Sequence, residues 1–514
     1  MNGAESLIQT LVDGGVDTCF MNPGTSEIHF VAALDRVPQM RGVPCLFEGA
    51  ASGAADGYAR MSGKPASTLL HLGPGLSNAL ANLHNACRAR MPLINIVGDH
   101  ATFHRHYETP LASNIEAIAR PYSTWLRSSA SPEAVGQDCA EAIASAITAP
   151  FSISTLILPA DTAWGEGGVV GEVPQMPPPS CPADSQIDHA AKLLRSDARV
   201  ALVLGAVLAV GNALTIAGKI AATTGAALLV PFAFTRLERG AGRPSVKRIA
   251  YVTEEAIAQL AEFDAVILAG APPPVSFFAH PNKPSVLTKE TTEVFTLSTP
   301  QEDGLAALTA LALAVKAEKA QPQVPPLARS ALPAGSIDSA GLAAVIGALL
   351  PENAIVVDES ITSGRGMLAA TASAPPHDWL VNTGGSIGIA LPLSVGAAVA
   401  CPGRPVLCLE ADGSGLYTLQ ALWTAARENL AITAVIFANR SYAILKGELG
   451  SAAANPGPRA LEMLQIDRPE IDWVSLARGF GVFGTKVETL EEFAVALRRG
   501  FESRAPNLIE VVLP

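Results

Sequence analysis

The run Val406-Leu407-Cys408-Leu409-Glu410-Ala411-Asp412-Gly413-Ser414 ends an apolar stretch with an acid and a Gly–Ser pair. A second apolar run, Ile432–Ala438, ends in Asn439-Arg440-Ser441-Tyr442, with Asn439 lying 27 residues after Asp412. The pattern between them, Thr418–Leu430, is helical. Strand, helix and strand in that order bring Asp412 and Asn439 to the same edge of one parallel sheet. Two oxygen donors so placed suit a small hard cation that shares its shell with phosphate oxygens. Gly413 admits a phosphate close to the backbone. The amides of Gly413 and Ser414 open a helix N-terminus, which favours an anion. Taken alone, Asp412 would serve equally as a helix N-cap. The paired offset to Asn439 turns the reading toward a metal and phosphate site. A second group of candidates is His100, His104 and His106, three of nine histidines in one short loop. A solvated loop explains them as well as a catalytic role does.

Groups of this kind need a rigid edge to hold them. Thr68–Leu70, Leu93–Val97 and Leu156–Leu158 read as buried strands, as do Val200–Leu204, Ala227–Val230 and Ala265–Leu268. Ala354–Val357, Val406–Leu409 and Ala434–Ile436 repeat the pattern near the C-terminus. Apolar strands without alternation, separated by helices such as Leu76–Arg88, predict parallel sheets covered on both faces. The expected class is α/β, in three doubly wound domains with mainly parallel sheets. Such sheets bind ligands at the carboxyl ends of their strands. Two proline-rich passages divide the chain. They leave domains at 1–168, 185–318 and 336–514, joined by linkers at 169–184 and 319–335.

Composition narrows the function. The 514 residues carry 35 Lys+Arg against 47 Asp+Glu, a net charge of −12, and only 16% are charged. Average domains carry about 25%. An acidic chain repels phosphate backbones, so no nucleic-acid partner is expected. Residues 200–218 and 379–403 are uncharged and long enough to span a bilayer, but the first reads as a strand, a Gly turn and a helix, and the second, with Asn382, glycines and prolines, as strand, turn and helix. No membrane partner is expected. The seven cysteines show no C-x-x-C pair, and Met1–Thr10 shows no secretory pattern, which points to a reducing, cytoplasmic location.

Acid–Gly–Ser at one strand end and Asn at the next resembles the thiamine-diphosphate signature of the 2-oxo acid decarboxylase and acetohydroxyacid synthase superfamily. Further motifs carry the same resemblance in order along the chain. They are Asn22-Pro23-Gly24-Thr25-Ser26-Glu27, Phe47-Glu48, Ala55-Asp56-Gly57-Tyr58-Ala59-Arg60, His71, Gly73-Pro74-Gly75 with Asn78, Asp358-Glu359-Ser360 and Gly384-Gly385-Ser386-Ile387-Gly388. Asn22–Thr25, Glu359-Ser360 and Ala421–Ala426 are most similar to benzoylformate decarboxylase and its acetolactate synthase-like relatives. The chain departs from the usual pattern at Phe47, Ala411 and Arg440.

The resemblance implies pyrimidine-binding, central and diphosphate-binding domains in that order. It implies thiamine diphosphate and Mg²⁺ as cofactors, with FAD not expected, since the central block has no G-x-G-x-x-G. Glu48 would exchange a proton with the pyrimidine, its pKa raised by a dry cleft. Asp412, Asn439 and the Ser441 carbonyl would hold the metal. Ile387 would prop the folded cofactor. Asn22, Pro23, Gly24, Ser360, Thr362, Gly385, Gly413, Ser414 and Tyr442 would contact it. His71 and His280 would transfer protons, and Thr25 would bind the substrate carboxylate. The implied reaction is decarboxylation of a small-molecule 2-oxo acid through an ylid and an enamine, or carboligation of acetolactate synthase type. The implied assembly is a homodimer or homotetramer with active sites between subunits.

Overall fold

The computed structural model describes residues 1–452 and 454–513. Three α/β sheets follow one another along the chain. The first contains β1 (Thr18–Asn22), β2 (Arg41–Pro44), β3 (Ala66–Leu70), β4 (Leu93–Asp99), β5 (Trp125–Ser128) and β6 (Ile153–Pro159), in the order β2-β1-β3-β4-β6-β5. The next segment supplies β7 (Val200–Leu204), β8 (Ala227–Val230), β9 (Leu237–Arg239), β10 (Lys247–Arg248), β11 (Ala265–Ala269) and β12 (Glu293–Ser298). Five of these form the second sheet, in the order β10-β8-β7-β11-β12. The third sheet has β13 (Ile355–Glu359), β14 (His377–Val381), β15 (Val406–Ala411), β16 (Ile432–Ala438), β17 (Phe483–Val487) and β18 (Asn507–Val512). Its order is β17-β18-β16-β15-β13-β14-β9.

Every pairing within these sheets is parallel except β14 with β9. Burial explains the composition. β3, β7, β11 and β16 are buried at every residue, because helices cover both faces and leave no side for alternating polar residues. β9 was not legible as a strand. Its three residues Leu237, Glu238 and Arg239 are too short and too polar to stand out, and they pair across to His377–Trp379.

The uncharged stretches fold as strand, turn and helix. Val200–Leu204 leads to the helix Gly211–Thr224, and His377–Val381 to the helix Ala390–Ala400. Among the described residues no helix is long and apolar enough to cross a membrane.

Each sheet reverses its winding once among its inner strands; the first and third turn back again at an edge, from β5 to β6 and from β17 to β18. The reversal falls between β1 and β3 in the first sheet, between β7 and β11 in the second, and between β13 and β15 in the third. A crevice opens outside the carboxyl ends of strands at such a point. The first and third sheets share a core. The helix Glu48–Ser62 lies on Ala390–Ala400, and Gly57 and Gly396 leave no room for a Cβ against the opposing backbone. Arg60 ties the segments together. It pairs with Asp56 at 2.6 Å inside the core and donates to the carbonyls of Val381 (2.8 Å) and Thr235 (3.4 Å).

Candidate active site

At the first reversal, β1 delivers Asn22, Pro23, Gly24 and the 3-10 turn Thr25–Glu27, and β3 delivers His71. Glu27 turns back on this turn. Its Oε2 accepts from the Gly24 amide at 2.7 Å and lies 2.8 Å from His71 Nδ1. Gly24 has no room for a Cβ against the His71 ring, so only glycine permits this approach. The Glu27 side chain is fully buried, and Oε1 has no hydrogen-bond partner. Burial pushes its carboxyl above the usual range, offset in part by the Gly24 amide and His71. The Glu27 contact occupies Nδ1 of a partly exposed ring, and among the described residues no hydrogen bond engages Nε2. Leu72, the next residue, is held at φ 48°, a strained position for an apolar side chain.

Glu48 opens the helix Glu48–Ser62, where the helix dipole favours a negative charge. The residue is buried, and Asn78 donates to its Oε2 at 3.0 Å. Thr25 is exposed at the same edge. Of the histidine loop, His100 accepts from or donates to Thr109 at 2.9 Å, while His104 and His106 are exposed and packed against Tyr107. Ser113, beyond the loop, covers Gly73 beside His71.

At the third reversal, Asp412 stands at the end of β15 and Asn439 just past the end of β16. The Asp412 carboxylate accepts from the amides of Gly413 at 2.8 Å and Arg440 at 2.6 Å. Arg440 adopts φ 55°, which turns the chain so that Ser441 donates to Asn439 Oδ1 at 3.0 Å. Burial pushes the Asp412 carboxyl up, against the pull of those two amides. A buried carboxylate with an amide oxygen at the next strand end fits a cation. Among the described residues no cluster of three His, Cys, Asp or Glu could hold a metal unaided. One carboxylate, one amide oxygen and a main-chain carbonyl fit Mg²⁺ only if phosphate oxygens complete the shell. The donor set thus suits a metal diphosphate. Tyr442 lays its ring on Gly413, and Ser414 is buried beside it.

Gly385 and Gly388 take φ 80° and 90° and present half-buried Ile387 between two bends. Thr362 is half-buried at the end of β13. Ser360 is turned inward, its hydroxyl donating to Asp358 and its amide to the same carboxylate at 3.1 Å. His280 lies 3.5 Å from Glu448, where the second segment meets the helix Ala443–Ser451.

Four residues near these edges escaped the sequence reading as site residues: Glu27, Asn78, Glu359 and Glu410. Glu359 and Glu410 face each other across the ladder of β13 and β15. Glu359 accepts from the amides of Gly388, Ile389 and Ala390 at 2.8–3.2 Å and from Asn382 at 2.7 Å. Glu410 Oε2 has no partner. Burial raises both, Glu359 to about 7 and Glu410 well above its ordinary value. Glu410 is the protonated member, because four donors favour charge on Glu359. The available signal was an acid ending each of two neighbouring apolar runs.

The second reversal differs. Gly205 and Gly270, which follow β7 and β11, meet backbone to backbone, and Leu208 packs against Gly304.

Comparison with known proteins bears on this geometry. Residues 1–118 match the model for the thiamine pyrophosphate enzyme N-terminal TPP binding domain, and residues 364–511 match its C-terminal TPP binding domain. A Mycobacterium tuberculosis chain, IlvX, named as a candidate acetolactate synthase large subunit, is 52% identical over 521 residues. That match covers 100% of this chain and 99% of the relative. The chain belongs to the thiamine-diphosphate enzyme family. It is a thiamine-diphosphate-dependent enzyme of the decarboxylase and acetolactate synthase group. Benzoylformate decarboxylase from Pseudomonas aeruginosa is 28% identical over 520 residues, covering 97% of this chain and 96% of that protein. The solved structure of a Rhodococcus jostii thiamine diphosphate-dependent 4-hydroxybenzoylformate decarboxylase shares the fold, with a TM-score of 0.86 over 100% of this chain and 99% of that one, at 24% identity.

Proposed function

We propose that this enzyme decarboxylates a 2-oxo acid, using thiamine diphosphate and Mg²⁺. The observation that carries the reading is the pair of polar edges. One offers a buried acid, Glu48, at a helix N-terminus. The other offers Asp412 and Asn439 at adjacent strand ends. When bound, the cofactor supplies the electron sink for the pair left when CO₂ departs. Asp412, Asn439 and the Ser441 carbonyl hold the metal. Gly413, Ser414 and Thr362 hold the diphosphate, and Ile387, Gly385 and Tyr442 shape its bed. Ser360 supports the same loop through Asp358. Glu48 exchanges a proton with the pyrimidine nitrogen, steadied by Asn78. His71, held by Glu27, presents Nε2 to protonate the product, and Thr25 donates to the substrate carboxylate. His280 serves from the far side of the cleft.

Among the described residues no hydrogen bond joins Glu48, Glu27 or His71 to Asp412, Asn439 or Ser441. The family match supports sites completed between subunits, in a homodimer or homotetramer. FAD is left out of the reading because the central segment carries no G-x-G-x-x-G. Incubation with thiamine diphosphate, Mg²⁺ and a panel of 2-oxo acids tests the proposal. Release of CO₂ from at least one acid is expected; none from any would sink it. The name of the 52% identical relative favours a second reading, a carboligase of acetolactate synthase type. Acetolactate from pyruvate identifies that activity, and aldehyde release without it favours the first.

A further inference from the structure

The cleft beside Gly385 holds a charged side chain that the reaction as described does not use. Phe277, from the second segment, lays its ring on Gly385, where a Cβ would stand 2.7 Å from Cζ. Phe232, Tyr251 and Phe278 surround it at ring-centroid distances of 6.2, 5.6 and 4.9 Å. Phe278 remains 55% exposed, an open aromatic face. The helix Ala443–Ser451 closes the cleft from the third sheet, starting one residue after Tyr442. Its Glu448 sets a carboxylate in this wall, accepting from Tyr251 at 3.1 Å and lying 3.5 Å from His280 Nε2. Leu445, one turn earlier on the same face, is exposed.

A carboxylate offers about four acceptor positions. Tyr251 takes one by a hydrogen bond, and His280 Nε2 stands 3.5 Å from the other oxygen. Burial and Glu448 together push the Tyr251 phenol up to about 12, so it stays a donor. Arg248 is engaged within the aromatic cluster, and Lys283, three residues after His280, pairs with Glu254. Arg248 stacks 3.9 Å over Phe232 and donates to the Phe232 carbonyl at 2.6 Å. The remaining acceptor positions of Glu448 must therefore be met by water or by whatever enters the cleft. An apolar group that expels the water leaves the carboxylate short of donors. A group carrying its own donor does not.

We propose that Glu448 is the specificity-determining residue of this site, selecting 2-oxo acids with an aryl or long side chain that ends in a hydrogen-bond donor, neutral or cationic. The inference rests on the 2-oxo acid reading above and names its substrate class.

The test compares 4-methylphenylglyoxylate with 4-hydroxyphenylglyoxylate, which match in size, and adds the cationic 4-aminomethyl compound. Two readouts are taken on the full-length protein. One is kcat/KM for CO₂ release with thiamine diphosphate and Mg²⁺. The other is calorimetric binding to protein loaded with a deaza cofactor analogue that cannot react. Wild type should favour the hydroxy acid over the methyl acid by roughly 10-fold or more, the size of one charge-assisted hydrogen bond. Glu448→Leu should erase or reverse that order in both readouts. Glu448→Gln, the milder change, should keep the hydroxy preference and lose the cationic one. An unchanged order in Glu448→Leu, a methyl preference in wild type, or no binding of any acid would overturn the inference. Absence of CO₂ with the binding order intact would overturn the decarboxylase reading and leave this one standing.

Discussion

Between β1 and β3 a buried acid, Glu27, meets a histidine; between β13 and β15 a buried acid, Glu359, meets main-chain amides. Both edges lie at the reversal of a parallel sheet. They differ in what surrounds the acids. Glu27 and His71 are a carboxyl and an imidazole in contact, two groups that can each give up or take a proton. Amides cannot, so the donors around Glu359 and Asp412 can only hold a fixed charge in place. One edge therefore presents proton-exchanging groups at its surface, while at the other the titratable pair Glu359 and Glu410 is buried beneath the amides that do the binding. The second sheet shows the alternative, a reversal closed by its own backbone at Gly205 and Gly270.

The comparison can be broken most forcefully at Glu48. Glu48→Gln should lower kcat by about 10²–10⁴-fold, with cofactor retention unchanged when measured by equilibrium dialysis. Asp412→Ala should do the reverse of that separation. Mg²⁺-dependent retention of the cofactor should weaken by about 10-fold or more, the scale of one lost charge-assisted contact, and activity should recover as cofactor is raised. If retention survives, Asp412 is not a ligand. Glu27→Gln should reduce kcat by roughly 10-fold, through loss of the group that fixes His71, and should shift the acid limb of the pH–rate profile. An unaltered profile would assign Glu27 to packing alone. The smallest effects concern the acids beneath the third edge. Glu359→Gln should cost about 2 kcal/mol in stability, since an amide nitrogen would face Asn382 where an oxygen accepts now. Glu410→Gln should cost less than about 1 kcal/mol, because a neutral donor replaces a protonated carboxyl. Chemical denaturation reads both. Equal costs would contradict the assignment of the shared proton to Glu410.

The strand cores and the edge residues Asp412 and Asn439 were legible because each ends an uninterrupted apolar run. β9 was not, since three residues carry no periodicity. Glu27 lay in a motif read for its backbone, and nothing in its spacing said that the side chain would return to Gly24 and reach His71, 44 residues on. The pairing of Glu359 with Glu410 depends on which strands become neighbours. Sequence order alone would place β14, not β13, beside β15. The position of Glu448 beside Tyr251 depends on two sheets meeting, which no local pattern records.

The division of labour between the edges is tested most directly by deuterium exchange at C2 of bound thiamine diphosphate, in wild type and Glu48→Gln at equal cofactor occupancy. The account predicts exchange slowed by about 10²-fold or more in the variant, with occupancy maintained by the third edge. Equal exchange rates, or lost occupancy with an unchanged rate in the fraction that remains bound, would contradict it.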